Sequence, residues 1–204
     1  MTDLTQTRKL REFIYRPESR GDYNIVWGGI ANRHRPEAML GKRLTQMTIR
    51  EVLAWQDSID RIYMSEAAGV GQIMEDTLRG LYPAAGLTLD DLFSEENQDR
   101  LVQALLERRG LSRYIRGEIS DTQFANKLAR EWASLPVVTG AQAGRSYYAG
   151  DSLNKAHVAV KPFLEAVKSV KAVPIAPIPA APPSGIVSFF RALWAAITRK
   201  GTST

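Results

Sequence analysis

The chain has 204 residues, enough for one stable domain plus an extension at about 100–200 residues per domain. It holds no cysteine, which excludes a disulfide framework and a thiolate metal site; its two histidines, His34 and His157, are far apart, so no metal or other cofactor is expected. The net charge of +5 is uneven: residues 1–160 carry 21 bases and 21 acids, and the last 44 residues carry six bases and one acid. The excess belongs to the tail, and no nucleic-acid partner is expected for the body.

In chain order, residues 7–17 read as a short helix that stops near Pro17 and leads to Glu18. Tyr23, Ile25 and Trp27 alternate with Asn24 and Val26 before Gly28-Gly29, the pattern of a strand and tight turn, so a small β-hairpin is expected beside Glu18. Thr48-x-x-Glu51 is a capping box opening a helix to about Met64, with Ile49, Val52, Leu53, Ile59 and Ile62 as its apolar side. A helix follows from near Gly71 to about Leu81, ahead of Pro83. Ser94 opens another through Leu101, Val102, Leu105 and Leu106, closed by Gly110. Ser120-x-x-Gln123 is a second capping box, and its helix is predicted to carry Phe124, Leu128 and Trp132 before Pro136. Residues 137–150 form a Gly-rich loop, and residues 151–170 read as helical, with Pro162 at a new first turn. The sum is a mainly helical α+β fold with one small hairpin sheet.

Residues 172–185 hold five prolines in fourteen positions and should form a semi-rigid, extended linker. Beyond it, Ile186, Val187, Phe189, Phe190, Leu193, Trp194 and Ile197 fall within an arc of roughly 160° on a helical wheel, opposite Ser188, Arg191, Thr198 and Arg199. A cationic amphipathic helix over 186–200 suits an anionic membrane surface or a virion component; the alternative is a groove on the chain's own body, against which the proline linker argues. The expected organisation is therefore a catalytic body at 1–171, a linker at 172–185 and a tail helix at 186–204.

Two segments carry chemistry, PESRGDYNIVWGG at residues 17–29 and SEAAGVGQIMEDTL at residues 65–78. A glycosidic bond breaks when a carboxylic acid protonates the leaving oxygen, so one well-placed glutamate, Glu18, can serve. To keep its proton near neutral pH it needs a partly apolar pocket, for which Tyr23, Trp27, Ala67 and Ala68 are candidate walls. The second run supplies small residues that let backbone approach a sugar, then the amide of Gln72. Asp22 is the nearest second carboxylate and equally a turn residue bonded to its own backbone.

These segments resemble the bacteriophage lambda endolysin family, a branch of the lysozyme-like lytic transglycosylases. The likeness runs through Glu18, Asp22 to Val26, Gly28-Gly29 and Ser65 to Gln72, and is strongest in RGEISDTQFANKLAREWASLP, residues 116–136. Gly144 to Tyr148 and Asp151 to Leu153 extend it, so that it covers roughly residues 8–168. It departs at residues 36–64, where this chain has a longer helical insertion, and stops after about residue 172. The resemblance implies a lysozyme-like fold and peptidoglycan glycan strands as substrate, with Glu18 as the single catalytic carboxylate. It also implies glycan contacts from Ser65 and Gln72. Tyr148, or Tyr147 beside it, is the expected aromatic contact from the Gly-rich loop, and Asn24 is expected to orient the acid, bind an acetamido group or simply stabilise its turn. A hydrolytic muramidase using Asp22 to place a water is the alternative reading, and an inactive wall-binding or virion module is the alternative of another class. The N-terminus has no apolar signal segment, so the expectation is a monomer made in the host cytoplasm and brought to the periplasm by a holin or by the virion.

Overall fold

The computed structural model describes residues 4–150 and 155–172. The chain divides into two compact units, 1–173 and 174–204. The expected tail helix, and the expected linker apart from Ala172, lie outside the described residues.

The described part of the first unit is built from helices: α1 (Leu4–Ser19), α2 (Pro36–Leu40), α3 (Ile49–Asp60), α4 (Glu75–Leu81), α5 (Glu95–Arg108), α6 (Leu111–Ile115), α7 (Asp121–Leu128) and α8 (Val160–Ala172). Short 3₁₀ turns at Asn32–His34 and Leu44–Gln46 lie between α1 and α3. No sheet forms among the described residues; extended backbone meets only in isolated bridges. The mainly helical expectation holds, and the hairpin beside Glu18 does not.

Helix α1 runs two residues past Pro17. Proline removes a single N–H from the last turn, and the Ser19 hydroxyl donates to the Tyr15 carbonyl at 3.0 Å within that turn. Arg20 and Gly21, with φ of 58° and 80°, then end the helix. Its buried face, Leu10 and Ile14, joins the core, and Phe13 stacks on Phe163 of α8 with centroids 6.0 Å apart. The nearly buried Arg11 pairs with Asp99 of α5 at 2.5 Å. Tyr15 and Tyr23 donate their hydroxyls to the same carboxylate at 2.7 and 3.1 Å. These contacts fix the segment that carries Glu18 against the centre of the fold.

The missing hairpin has a physical explanation. Ile25 to Trp27 do pair, but with residues 67–69: the Trp27 N–H donates to the Ala67 carbonyl at 3.0 Å, and the Gly69 N–H to the Ile25 carbonyl at 2.9 Å. Ala68 in turn exchanges both backbone bonds with Ile73, at 2.9 and 3.1 Å. After Gly28-Gly29 the chain turns into a 3₁₀ segment instead of returning along itself. The Trp27 ring lies over Gly29, where a Cβ would collide with it.

Helix boundaries follow their caps. Both capping boxes form, Thr48 with Glu51 and Ser120 with Gln123. Helix α3 stops at Asp60, short of the predicted Met64; Tyr63 instead turns its hydroxyl to His34 Nδ1 at 2.7 Å and to the Ala31 N–H at 3.2 Å. Helix α4 starts at Glu75, not near Gly71, because Gly69 and Gln72 take left-handed backbone, φ 72° and 48°, which interrupts a right-handed helix. Helix α7 ends at Leu128, so Trp132 sits in the turn beyond it. The five-residue helix α6, which starts directly after the left-handed Gly110, was not expected. Helix α8 begins at Val160, later than the predicted 151, with Pro162 in its first turn.

Candidate active site

Glu18 occupies the last turn of α1, half-buried at the edge of a cleft of about 580 Å³. Trp27 and Ala67 form one part of the wall, Trp132 and Ala133 another, and Met64 and Met74 stand at the rim. A larger groove of about 800 Å³, lined by Leu81, Ala85 and Ala104 near α4 and α5, contains none of the candidate catalytic side chains.

Burial pushes the Glu18 carboxyl above the usual carboxylate range; the Ser134 hydroxyl, the Ser134 backbone and nearby His157 pull it back down less strongly. Its position at the negative end of α1 disfavours the charged form as well. Ser134, nearly buried, donates its hydroxyl to Glu18 Oε1. Its own carbonyl accepts the His157 N–H at 2.8 Å, which ties this contact to the chain leading into α8. A protonated, oriented carboxyl on an open cleft can deliver a proton to a bound leaving group.

The turn at residues 65–73 is held from behind by two fully buried glutamines. Gln98 of α5 accepts the Val70 N–H at 2.8 Å and donates to the Tyr23 and Phe93 carbonyls at 3.0 and 2.8 Å. Gln56 of α3 donates to the Glu66 and Ile73 carbonyls at 3.0 and 2.9 Å. Buried loop backbone needs such partners, and side-chain amides supply them where no ladder exists. The small residues of this run serve that packing rather than an approach to sugar. A Cβ at Gly69 would strike Gln98 Oε1, and one at Gly71 would come within 2.7 Å of Val102 Cγ2. Of the small residues singled out as walls, Ala67 lines the cleft and Ala68 is wholly buried.

The structure brings Glu18, Ser65, Gln72 and Tyr148 to one cleft. Ser65 Oγ lies 3.5 Å from Met74 Sδ and accepts the Ala67 N–H at 3.3 Å. Gln72 folds its amide back to donate to the Gly69 carbonyl at 3.0 Å, leaving its Oε1 as an acceptor. Tyr148 is 43% exposed and donates its hydroxyl to the Arg130 carbonyl at 2.8 Å. Two predicted residues lie outside the cleft lining. Asn24 uses its Oδ1 to accept the Thr45 N–H and hydroxyl at 3.0 and 2.9 Å, joining the segment after α1 to the 3₁₀ turn at Leu44–Gln46. Asp22 accepts the Asn24 N–H at 2.8 Å in an exposed turn. Tyr23, proposed as a wall, points to Asp99 instead.

Three cleft features were not anticipated. Ser134 belongs to the Trp-Ala-Ser-Leu-Pro run, which was noticed for its likeness without a role for its serine. Trp132, expected as a residue of the helix after Ser120, is nearly buried, lines the cleft and donates its indole N–H to the Gly71 carbonyl at 3.2 Å. Glu131 is a second carboxylate in the wall, with Oε1 bonded to Arg108 at 2.8 Å and Oε2 to Arg109 at 2.5 Å. Among the described residues no cluster of histidines and carboxylates could hold a metal ion, and no helix is long and apolar enough to cross a membrane.

A helical body with a half-buried glutamic acid on an open cleft is compatible with a glycan-cleaving enzyme. The endolysin family model matches residues 52–161, more than half of the chain, and the chain belongs to the endolysin family. Endolysins are phage enzymes that degrade peptidoglycan. No match was found among curated proteins or among solved structures. The matched span contains Ser65, Gln72, Ser134 and Tyr148 and begins after Glu18.

Proposed function

We propose that this endolysin is a lytic transglycosylase that cuts the β-1,4 bond between N-acetylmuramic acid and N-acetylglucosamine, with Glu18 as its acid and base. Glu18 gives its proton to the glycosidic oxygen as the bond from C1 breaks. The C6 hydroxyl of the muramic acid then bonds to C1 and returns its proton to the Glu18 carboxylate, closing a 1,6-anhydro ring without consuming water. Ser65, Gln72 and Tyr148 hold the glycan; Ser134 orients the acid.

The observation that carries this reading is the contrast among the nearby carboxylates. Glu18 is half-buried with a raised affinity for its proton, Asp22 is committed to its own turn, and both oxygens of Glu131 are ion-paired. Glu131 is the one feature that favours a hydrolytic muramidase, since a carboxylate in the cleft wall could place a water. Its two arginine partners oppose that role, since each holds one of the oxygens a base would use.

Glu18→Gln keeps the side-chain shape and removes the transferable proton. Its clearing of purified cell wall should fall at least about 10²-fold, the low end of general acid–base contributions. Retention of a tenth of wild-type activity by a folded variant would transfer the proton to another residue.

For the second unit we propose the role drawn from its sequence, attachment to an anionic membrane surface by residues 186–200 after passage to the periplasm. Removing residues 174–204 should leave activity on purified wall intact and weaken binding to anionic vesicles. Equal loss in both assays would refute the membrane role.

A further inference from the structure

The cleft-lining Tyr148 has a second exposed tyrosine, Tyr147, beside it. The Tyr147 ring meets Tyr148 edge-on with centroids 5.2 Å apart, and the Arg130 guanidinium lies 4.9 Å above the Tyr147 ring. Next to this pair is a cavity of about 250 Å³ walled by Arg130, Thr139, Gln142 and Tyr147. A second, of about 360 Å³, shares Asn126 and Arg130 with it and adds Arg113, Gln123 and Lys127. No carboxylate lines either cavity.

Two of the cations lack an acid, although Arg130 also lies over the Tyr147 ring. Arg113 is paired with Glu118 at 3.3 Å, whereas among the described residues neither Lys127 nor Arg130 has an acidic partner. The wall between them is built rather than incidental. Asn126 donates to Thr139 Oγ1 at 2.7 Å and accepts the Val138 N–H at 2.8 Å, which fixes the loop after Trp132 to α7. Because the Thr139 hydroxyl accepts that bond, its own proton is left to donate outward. The pocket therefore offers two unpaired cations and an oriented hydroxyl, a donor set for carboxylates.

We propose that these joined cavities bind the carboxylates of the peptide stem that hangs from each muramic acid, making the enzyme selective for glycan that still carries its acidic peptides. This rests on the glycan-cleaving reading of the cleft. A sugar lying between Glu18 and Tyr148 would place its lactyl-linked peptide within reach of the neighbouring Tyr147, over whose ring Arg130 lies, and Lys127 lines the adjoining cavity with Arg130. The aromatic pair would guide the stem, and Lys127 and Arg130 would hold its acids.

The test uses the full chain and the Lys127→Gln, Arg130→Gln double variant, whose replaced side chains are exposed. Each is assayed on purified wall, on wall whose stems have been removed by an amidase, and on wall whose carboxylates have been chemically amidated. The wild type should cut the native wall with a higher kcat/KM than either treated wall. The double variant should lose about tenfold or more on native wall, as expected for two charge-assisted contacts, with a loss at least about fivefold smaller on the other two. Equal losses on all three substrates, or none on native wall, would overturn the proposal and leave glycan cleavage standing. Failure of the wild type to cut any of the three would instead overturn the glycan-cleaving reading, and this proposal with it.

Discussion

The cleft wall made by residues 65–74 is clamped from behind by Gln56 and Gln98, whereas the wall made by residues 144–148 stands largely in solvent. On the first side, two buried amides make five hydrogen bonds to backbone groups, three of them within residues 66–73. On the second, the loop is pinned at its base, with the Gly144 N–H on the Val137 carbonyl and the Val137 N–H on the Arg145 carbonyl, each at 2.8 Å. Past that base Tyr147 and Tyr148 are exposed. Buried polar networks hold geometry because every broken bond leaves an unsatisfied group, and exposed contacts hold it weakly because water replaces them. Residues 65–74 therefore hold their geometry more firmly than the tyrosine loop.

Gln98→Leu should have the largest effect on stability. It keeps the volume but strands the Val70 N–H and the Tyr23 and Phe93 carbonyls, at about 1–3 kcal/mol for each buried group left without a partner. A loss on the order of 3 kcal/mol or more is expected in urea unfolding. A loss below about 1 kcal/mol would mean that the rigid wall does not depend on this clamp.

Ser134→Ala probes the acid itself. Ser134 bonding pulls the Glu18 carboxyl downward against burial, so its removal should raise the pKa further. Activity needs protonated Glu18 and is lost as pH rises through that value. The alkaline limb should therefore move to higher pH, by about one unit for a contact worth ~1.4 kcal/mol. Stability carries the same sign. A carboxyl whose folded pKa is raised contributes most below its unfolded value and loses that contribution as pH rises through the folded one. Glu18→Gln should accordingly stabilise the fold more under alkaline than under acidic conditions, and thermal unfolding at the two extremes would detect the opposite trend.

The smallest effects belong to the open wall. Tyr148→Phe should change stability by under about 1 kcal/mol, because the lost hydroxyl bond is exposed. Tyr148→Ala should raise KM several-fold with kcat within about twofold, the pattern of a binding contact felt equally in ground and transition states. A fall in kcat without a change in KM would move Tyr148 to the catalytic side of the cleft.

The same contrast explains what the sequence could reveal. Capping boxes at Thr48 and Ser120 are local rules, and both form where they were read. Glu18, Ser65, Gln72 and Tyr148 were legible as a set and do share a cleft. The hairpin failed because Val26 finds its partner at Ala68, and no local pattern separates that pairing from a turn at Gly28-Gly29. Asn24 carries a polar side chain suited to a sugar, but its partner is Thr45 in the 3₁₀ turn at Leu44–Gln46. Ser134 meets Glu18 across 116 positions, a proximity only the packing of α1 against the chain beyond α7 creates. The early start assigned to α4 overlooked that two nearby left-handed residues, one of them the non-glycine Gln72, make a turn.

The central claim is that Glu18 works alone, returning to the C6 hydroxyl for its second proton and excluding water from the product. Digestion of purified peptidoglycan in ¹⁸O-labelled water, followed by mass spectrometry of the released muropeptides, tests this most directly. The account predicts anhydro ends, one water lighter than reducing ends and free of label. Reducing ends carrying one ¹⁸O would contradict it and make the enzyme a muramidase.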